Sequence, residues 1–312
     1  MAKILIGTSG WSYDDWKDVV YPPDAGSRFD RLVYLSELCD TIEVNSSFYH
    51  IPNRQTVASW LSRVTKLKDF QFTAKLYQGL THQRDERTFQ ALIDEYLRAF
   101  EPMFSSGRLG AVLLQFPWSF KYGQESMVWL ERLAKALGPM PLAVEVRHTS
   151  WLNEDYYDFL RSTKIAFCNI DQPRLASNIP PTDIVTAPLS YVRFHGRNAE
   201  NWFKENEDSS DRYKYLYALD ELEDWVDRIH RMAQQADRIY VLMNNHVGGR
   251  GLANALELKS MVSGKKAVAP PQLIANFPEL KTFADAKPFE AAAASRRGRK
   301  PSPPAEEQGL LF

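Results

Sequence analysis

Short apolar runs alternate with helix-period stripes along most of the chain. Lys3 to Thr8 is a compact apolar run with the character of a buried strand. Phe29, Leu32 and Val33 within Arg28 to Leu38 fall at helical spacing, and TIEVN (41–45) returns to the two-residue period of a strand. Asn53 stands as an N-cap before a helix carrying Val57, Trp60, Leu61 and Val64. A third strand, Phe70 to Lys75, precedes a stripe of Phe89, Leu92, Ile93, Tyr96, Leu97 and Phe100. A fourth, Leu109 to Phe116, is closed by Pro117 and followed by Leu130, Leu133, Ala134 and Leu137. LAVEVRHTSW (142–151) opens as the fifth strand, with a helix near Glu154 to Ser162 behind it. Ile165 to Asp171 is the sixth, and the segment QPRLASNIPPTDIVTA after it has no helical period, which predicts an irregular connection. Leu189 to His195 is the seventh strand, before Leu222, Trp225, Val226 and Ile229. Arg238 to Asn245 is the eighth, and Leu252 to Val262 is the last clear helix.

Eight strands mostly separated by helices predict parallel crossovers, and eight is the number that closes a (β/α)8 TIM-type barrel. An open doubly wound sheet competes, but no GxGxxG turn follows the first strand. The barrel is assigned to residues 1–285. From there to residue 312 the composition runs through alanine, basic, proline and acidic stretches, which predicts a flexible tail.

The strand patterns carry polar residues where a barrel places its active site, at the C-terminal strand ends. Glu43 and Asn45 share a face of TIEVN. Gln71, Thr73 and Lys75 share one in the third strand, and Glu145 and Arg147 in the fifth. Asn169 pairs with Asp171 in the sixth, and Tyr191, Arg193 and His195 line up in the seventh; Gln115, Asn244 and Asn245 end the fourth and eighth. Polar faces directed into the barrel would collect three carboxylates and three cations in one mouth. Each buried ion costs several kcal/mol before pairing, so such a set is either a self-satisfied network or a ligand site. The ligand-site reading makes Glu145, Asp171, His195 and Glu43 the acid–base candidates. Lys75, Arg147 and Arg193 would hold an anion, with Asn45, Gln115, Asn244 and Asn245 orienting it and His82 alongside. Trp11, Tyr13, Phe48, Tyr49 and Trp151 would wall a flat or sugar-like body. Gly248 and Gly249, before the last helix, would present backbone N–H groups to a phosphate.

Composition narrows the partners. Lys plus Arg (38) nearly match Asp plus Glu (39), so no whole-molecule field points to nucleic acid or membrane. Cys39 and Cys168 give neither a disulfide framework nor metal-ligand spacing, which fits a reducing cytoplasm. MAKILIGTSG is too short an apolar run for a signal peptide, and no run is long enough to span a bilayer. No cofactor is expected. A divalent metal would draw on Glu145, Asp171 and His195, against the repulsion of three nearby cations. No GxSxG elbow is present, and Ser9 and Ser46 read as turn residues.

GTSGWSY (7–13), IEVNSSFY (42–49), TH (81–82), LLQFP (113–117), VEVRHTSW (144–151), Asp171, YVRFHG (191–196) and NNHVGG (244–249) occur in the order found in the YecE-like family, domain of unknown function 72. The resemblance spans about Lys3 to Val262 and implies a TIM-type barrel without implying a reaction. Its matching positions, Trp11, Glu43, Asn45, Tyr49, Lys75, His82, Gln115, Glu145, Arg147, His148, Asp171, Arg193, His195, Asn244 and Asn245, largely coincide with the mouth read from the strand pattern. Separately, Gln308 to Phe312 (QGLLF) resembles the short peptide by which bacterial polymerases and repair proteins hold the DNA sliding clamp. Gln308, Leu311 and Phe312 are its contact residues, and Gly309 stands where leucine is usual. The expectation is an enzyme acting on a phosphate-bearing substrate, a nucleotide or nucleic acid included, recruited to the clamp. The alternatives are a sugar or sugar-phosphate enzyme and a non-catalytic ligand-binding adaptor.

Overall fold

In the computed structural model the described residues are 2–26, 28–200 and 211–288. Eight parallel strands close on one another in chain order: β1 (Lys3–Ser9), β2 (Thr41–Val44), β3 (Gln71–Lys75), β4 (Leu109–Gln115), β5 (Leu142–Glu145), β6 (Ala166–Asp171), β7 (Leu189–Phe194) and β8 (Arg238–Met243). Around them run α1 (Arg31–Ser36), α2 (Arg54–Arg63), α3 (Phe89–Ser105), α4 (Gln124–Leu137), α5 (Glu154–Thr163), α6 (Leu219–Met232) and α7 (Arg250–Ser263). The (β/α)8 barrel is thus the fold, and β6 connects to β7 without an α-helix, where Pro173, Pro180, Pro181 and Pro188 interrupt the chain.

The helix starts follow the local chemistry. Asn53 Oδ1 accepts from Thr56 N at 2.8 Å and Asn153 Oδ1 from Tyr156 N at 3.0 Å, each satisfying an otherwise orphaned amide. Asp30 caps α1, so that helix begins at Arg31 rather than Arg28. Beyond α7 the chain adds α8 (Pro271–Asn276) and a two-stranded parallel sheet, β9 (Ala267–Ala269) with β10 (Ala284–Ala286). Runs of three residues are too short to show a period, so this addition was not legible in the sequence.

Register decides which residues enter the barrel. Ser9 pairs with Glu43, Glu43 with Thr73, and Gln115 with Glu145. Partners across a parallel ladder share a face, so the polar ends of β1 to β5 stack on the interior. Lower in the barrel, the ring of Tyr240 occupies the space beside Gly110, where a Cβ would lie 2.3 Å from the Tyr240 hydroxyl oxygen. That hydroxyl donates to Gln71 Oε1.

Candidate functional site

The centre of the mouth is Arg193, 1% exposed near the end of β7. Its Nη2 donates to Glu43 Oε1 at 2.7 Å and its Nη1 to Glu145 Oε2 at 2.7 Å, so one guanidinium bridges carboxylates from β2 and β5. The rest of Glu43 is held by Ser9 Oγ (2.7 Å to Oε1) and the Tyr191 hydroxyl (2.8 Å to Oε2). Glu145 Oε1 accepts from Arg147 Nε at 3.0 Å and Nη2 at 2.8 Å, and lies 3.1 Å from His195 Nε2. Burial alone would push the Glu145 carboxyl up. The surrounding Arg193, His195 and Arg147 outweigh that and hold it well below the usual carboxylate range. Burial pushes His195 down to about 4, against an attraction from Glu145. The ring is therefore neutral at pH 7, and Asn244 Nδ2, 3.1 Å from Nδ1, assigns its proton to Nε2, facing Glu145.

Lys75 differs from every other charge in this group. It is 8% exposed, and its Nζ sits 4.0 Å above the Phe48 ring. Among the described residues its Nζ has no hydrogen-bond or ion-pair partner. Burial, then the positive charge of Arg193, push it down to about 7 against the pull of Glu43 and Glu145. His82 lies in a π-helical turn, Gly79–Gln83, just after β3, and meets the same Phe48 ring edge-on at 4.9 Å. Its Nδ1 is 2.9 Å from Thr81 Oγ1, and burial with the charges of Lys75 and Arg147 brings it down to about 4.

Beside this cluster opens a pocket of about 290 Å³, lined by Gly10, Trp11, Ser12, Tyr13, Asn45, Ser46 and Tyr49. Trp11 is braced edge-on by Trp60, and Tyr49 is 64% exposed. Asn45 Oδ1 is buried there without a hydrogen-bond partner among the described residues, an acceptor left for a donor group. Gln115, 8% exposed, donates from Nε2 to the Phe116 carbonyl at 2.8 Å.

Several expected members lie elsewhere or are already engaged. Asp171 and Asn169 face outward, because β6 pairs them with Phe194 and Val192, which pack under the helix layer. Asp171 takes both oxygens' bonds from Arg197 (2.8 and 2.6 Å), the Tyr217 hydroxyl (2.8 Å) and Trp225 Nε1 (2.8 Å), so it is a structural anchor rather than a mouth carboxylate. Asn245 also points away from the mouth, donating to the Tyr215 carbonyl at 2.9 Å and to Asn254 Oδ1 at 3.0 Å. Trp151 is fully buried, stacked on Phe120 with its Nε1 on the Phe120 carbonyl, so it walls no ligand. The amides of the glycine turn are engaged within the chain: Gly248 N–H donates to Asp15 Oδ2 at 2.6 Å and Gly249 N–H to the His246 carbonyl at 3.1 Å. An aspartate thus already occupies the Gly248 position that was expected to hold phosphate. Glycine is required at 249 because φ is +80° and a Cβ would lie 2.9 Å from Val19 Cγ1. Arg193, expected to hold an anion, instead closes the internal network. Ser9, read as a turn residue, ends β1 and helps hold Glu43.

Arg197 was missed because its role depends on Asp171 facing outward, which a single sequence does not reveal. The metal candidates are separated as well: Glu145 and His195 meet in the mouth while Asp171 lies in the wall. Among the described residues no three His, Cys, Asp or Glu side chains gather as a metal-holding group. Gln308, Leu311 and Phe312 lie outside the described residues.

A closed parallel barrel with a polar network at its C-terminal rim defines a TIM-type barrel protein. Within that class, the chain belongs to the family described as Protein of unknown function DUF72, whose model matches residues 5–276. UPF0759 protein YunF of Bacillus subtilis (strain 168) is 31% identical over 284 residues, 86% of this chain and 99% of its own. UPF0759 protein YecE of Escherichia coli (strain K12) is 27% identical over 145 residues, 46% of this chain and 48% of its own. A DUF72 family protein from Thermotoga maritima MSB8 superposes with a TM-score of 0.75 at 32% identity, covering 84% of this chain and 99% of that one. Another from Enterococcus faecalis V583 gives 0.73 at 26%, covering 83% and 95%. No helix among the described residues is long and apolar enough to cross a membrane.

Proposed function

We propose that this protein is an enzyme acting at the barrel mouth on a small substrate bearing a phosphate or similar anionic group. The supporting observation is the Lys75 ammonium, buried beside a network whose other charges compensate one another. Glu43 and Glu145 face Arg193 and Arg147, and neutral His195 adds no charge, so protonated Lys75 leaves the mouth one positive charge in excess. A desolvated excess cation favours an anionic ligand far more strongly than the same charge would in water. Arg147, with 12% of its side chain exposed, is the guanidinium nearest solvent in this set, and Lys75 supplies the charge that varies with pH. The aromatic pocket with the unpaired Asn45 acceptor supports a substrate body carrying hydroxyl or N–H donors, so a sugar phosphate fits both features.

Sulfate is a suitable probe because it keeps its charge across neutral pH. Sulfate and glycerol 3-phosphate are expected to bind at pH 6 in calorimetry, and sulfate affinity should fall at least tenfold by pH 8.5 as Lys75 loses its proton. Sulfate binding that ignores pH, or no binding of either probe, would count against the proposal. Recruitment to the sliding clamp belongs to the same proposal and is supported by the sequence of the terminal peptide. Deleting residues 308–312 is expected to abolish binding to purified clamp in a surface-plasmon assay while oxyanion binding persists. Clamp affinity unchanged by the deletion would remove the clamp from the proposal.

A further inference from the structure

We propose that Lys75 is a nucleophile that condenses with an aldehyde or ketone carbon of the substrate, forming a Schiff base inside the mouth. This deepens the anionic-substrate reading and rests on it. A lysine can attack a carbonyl only as the neutral amine, with its lone pair uncommitted. Glu43, Glu145, Arg193 and Arg147 fail that condition because they hold one another, and so does His195, both of whose nitrogens are occupied. Lys75 meets it. It ends β3 at the C-terminal end of the barrel, and its Nζ lies over the Phe48 ring with no polar partner among the described residues.

The groups acting on it are Glu43 from β2, Glu145 with Arg147 following β5, and Arg193 from β7; His82 stands in the turn after β3. Their sum, dominated by burial, brings the amine to about 7. At pH 7 roughly half of Lys75 is therefore neutral, against fewer than about one in a thousand for an ordinary lysine.

The chemistry balances without a further reactant. The Nζ lone pair forms a bond to the carbonyl carbon as the C=O π pair moves onto oxygen, giving a carbinolamine. That oxygen leaves as water with the two protons originally on nitrogen, and the C=N bond remains. A proton taken from solvent converts it to the iminium, and water reverses the sequence. The iminium restores a cation where the ammonium stood, over the Phe48 face and within the field of Glu43 and Glu145. The site is thus suited to the charged intermediate as well as to the neutral attacking amine.

Glyceraldehyde 3-phosphate with cyanoborohydride reduction, followed by intact mass and peptide mapping of the full chain, tests this. The expected result is one adduct per chain at Lys75, with a labelling rate that, read at aldehyde concentrations saturating the mouth at each pH, rises through pH 7 while exposed lysines lag toward pH 10. Lys75→Arg, which keeps a cation, is expected to lose the adduct. Because the adduct is mapped in the wild-type chain, the outcome does not depend on that variant folding. Labelling spread over surface lysines with Lys75 unmodified overturns the inference. If glycerol 3-phosphate binds but no Lys75 adduct forms, the nucleophile falls and the anion reading stands. If unphosphorylated glyceraldehyde labels Lys75 as fast as its phosphate ester, the nucleophile stands and the anion reading falls.

Discussion

Arg193→Met is expected to lower folding stability by about 3–5 kcal/mol, the usual cost of removing one partner from a buried ion network. The variant leaves Glu43 and Glu145, both fully buried, without the guanidinium that bridges them. Methionine fills much of the same volume, so the loss comes from uncompensated charge rather than from a cavity. Urea unfolding at pH 7.5 measures it, and a loss below about 1 kcal/mol would show that the network carries little of the fold's stability. The pH dependence adds a second check. In the wild type, Glu145 has its carboxyl held below the usual range, so it contributes stability that is present above the unfolded carboxylate value and lost as pH falls through the folded one. His195 acts in the same direction: its folded value is about 4 against an ordinary 6.5, so the unfolded chain binds the extra proton between those values. Wild-type stability should therefore fall as pH drops from 6.5 to 4, and further below. In Arg193→Met the Glu145 carboxyl protonates more readily, so the gap between variant and wild type is expected to narrow in acid.

The same network shows how far the sequence could be read. Period-two alternation placed Glu43, Thr73, Lys75, Glu145 and Arg193 correctly, because each lies on a strand whose opposite face is plainly apolar. It failed at β6, whose apolar face of Ala166, Cys168 and Ile170 points into the barrel rather than against the helices. Cys168 and Ile170 alternate with Asn169 and Asp171, and composition does not say which pair faces in. Register against β7 decides it, and register depends on partners distant in sequence. Trp151 was misplaced for a related reason, since an aromatic just past a strand end can turn toward solvent or back under the next helix. The glycine turn was located correctly, but its amide is satisfied by Asp15, from a loop more than two hundred residues earlier. What remained invisible was pairing. The residue types at the mouth were legible, whereas the commitment of Arg193 and the isolation of Lys75 arise from packing between strands far apart in sequence.

That isolation leads to the second large effect, in which stability and function move in opposite directions. Lys75→Met is expected to stabilise the fold while eliminating pH-dependent oxyanion binding. A buried ammonium whose nearest contact is an aromatic ring has lost its hydration without gaining an ion pair, so an apolar replacement removes a penalty. The gain should be on the order of 1–4 kcal/mol at pH 6, or about 2 °C in melting temperature per kcal/mol for a chain of this size. Its pH dependence follows from the folded value of about 7 against an ordinary 10.5. The unfolded chain binds more protons between those values, so wild-type stability rises with pH across that window, whereas Lys75→Met lacks this response. The advantage of the variant is therefore greatest below pH 7 and fades toward pH 10.5. Differential scanning calorimetry at pH 6 and pH 9.5, paired with sulfate titration, reads both quantities. A variant that melts lower than wild type at pH 6 would mean that the lysine has a compensating partner and is structural. A variant that melts higher and no longer binds sulfate identifies an unfavourable charge kept at a cost to the fold, as functional groups often are.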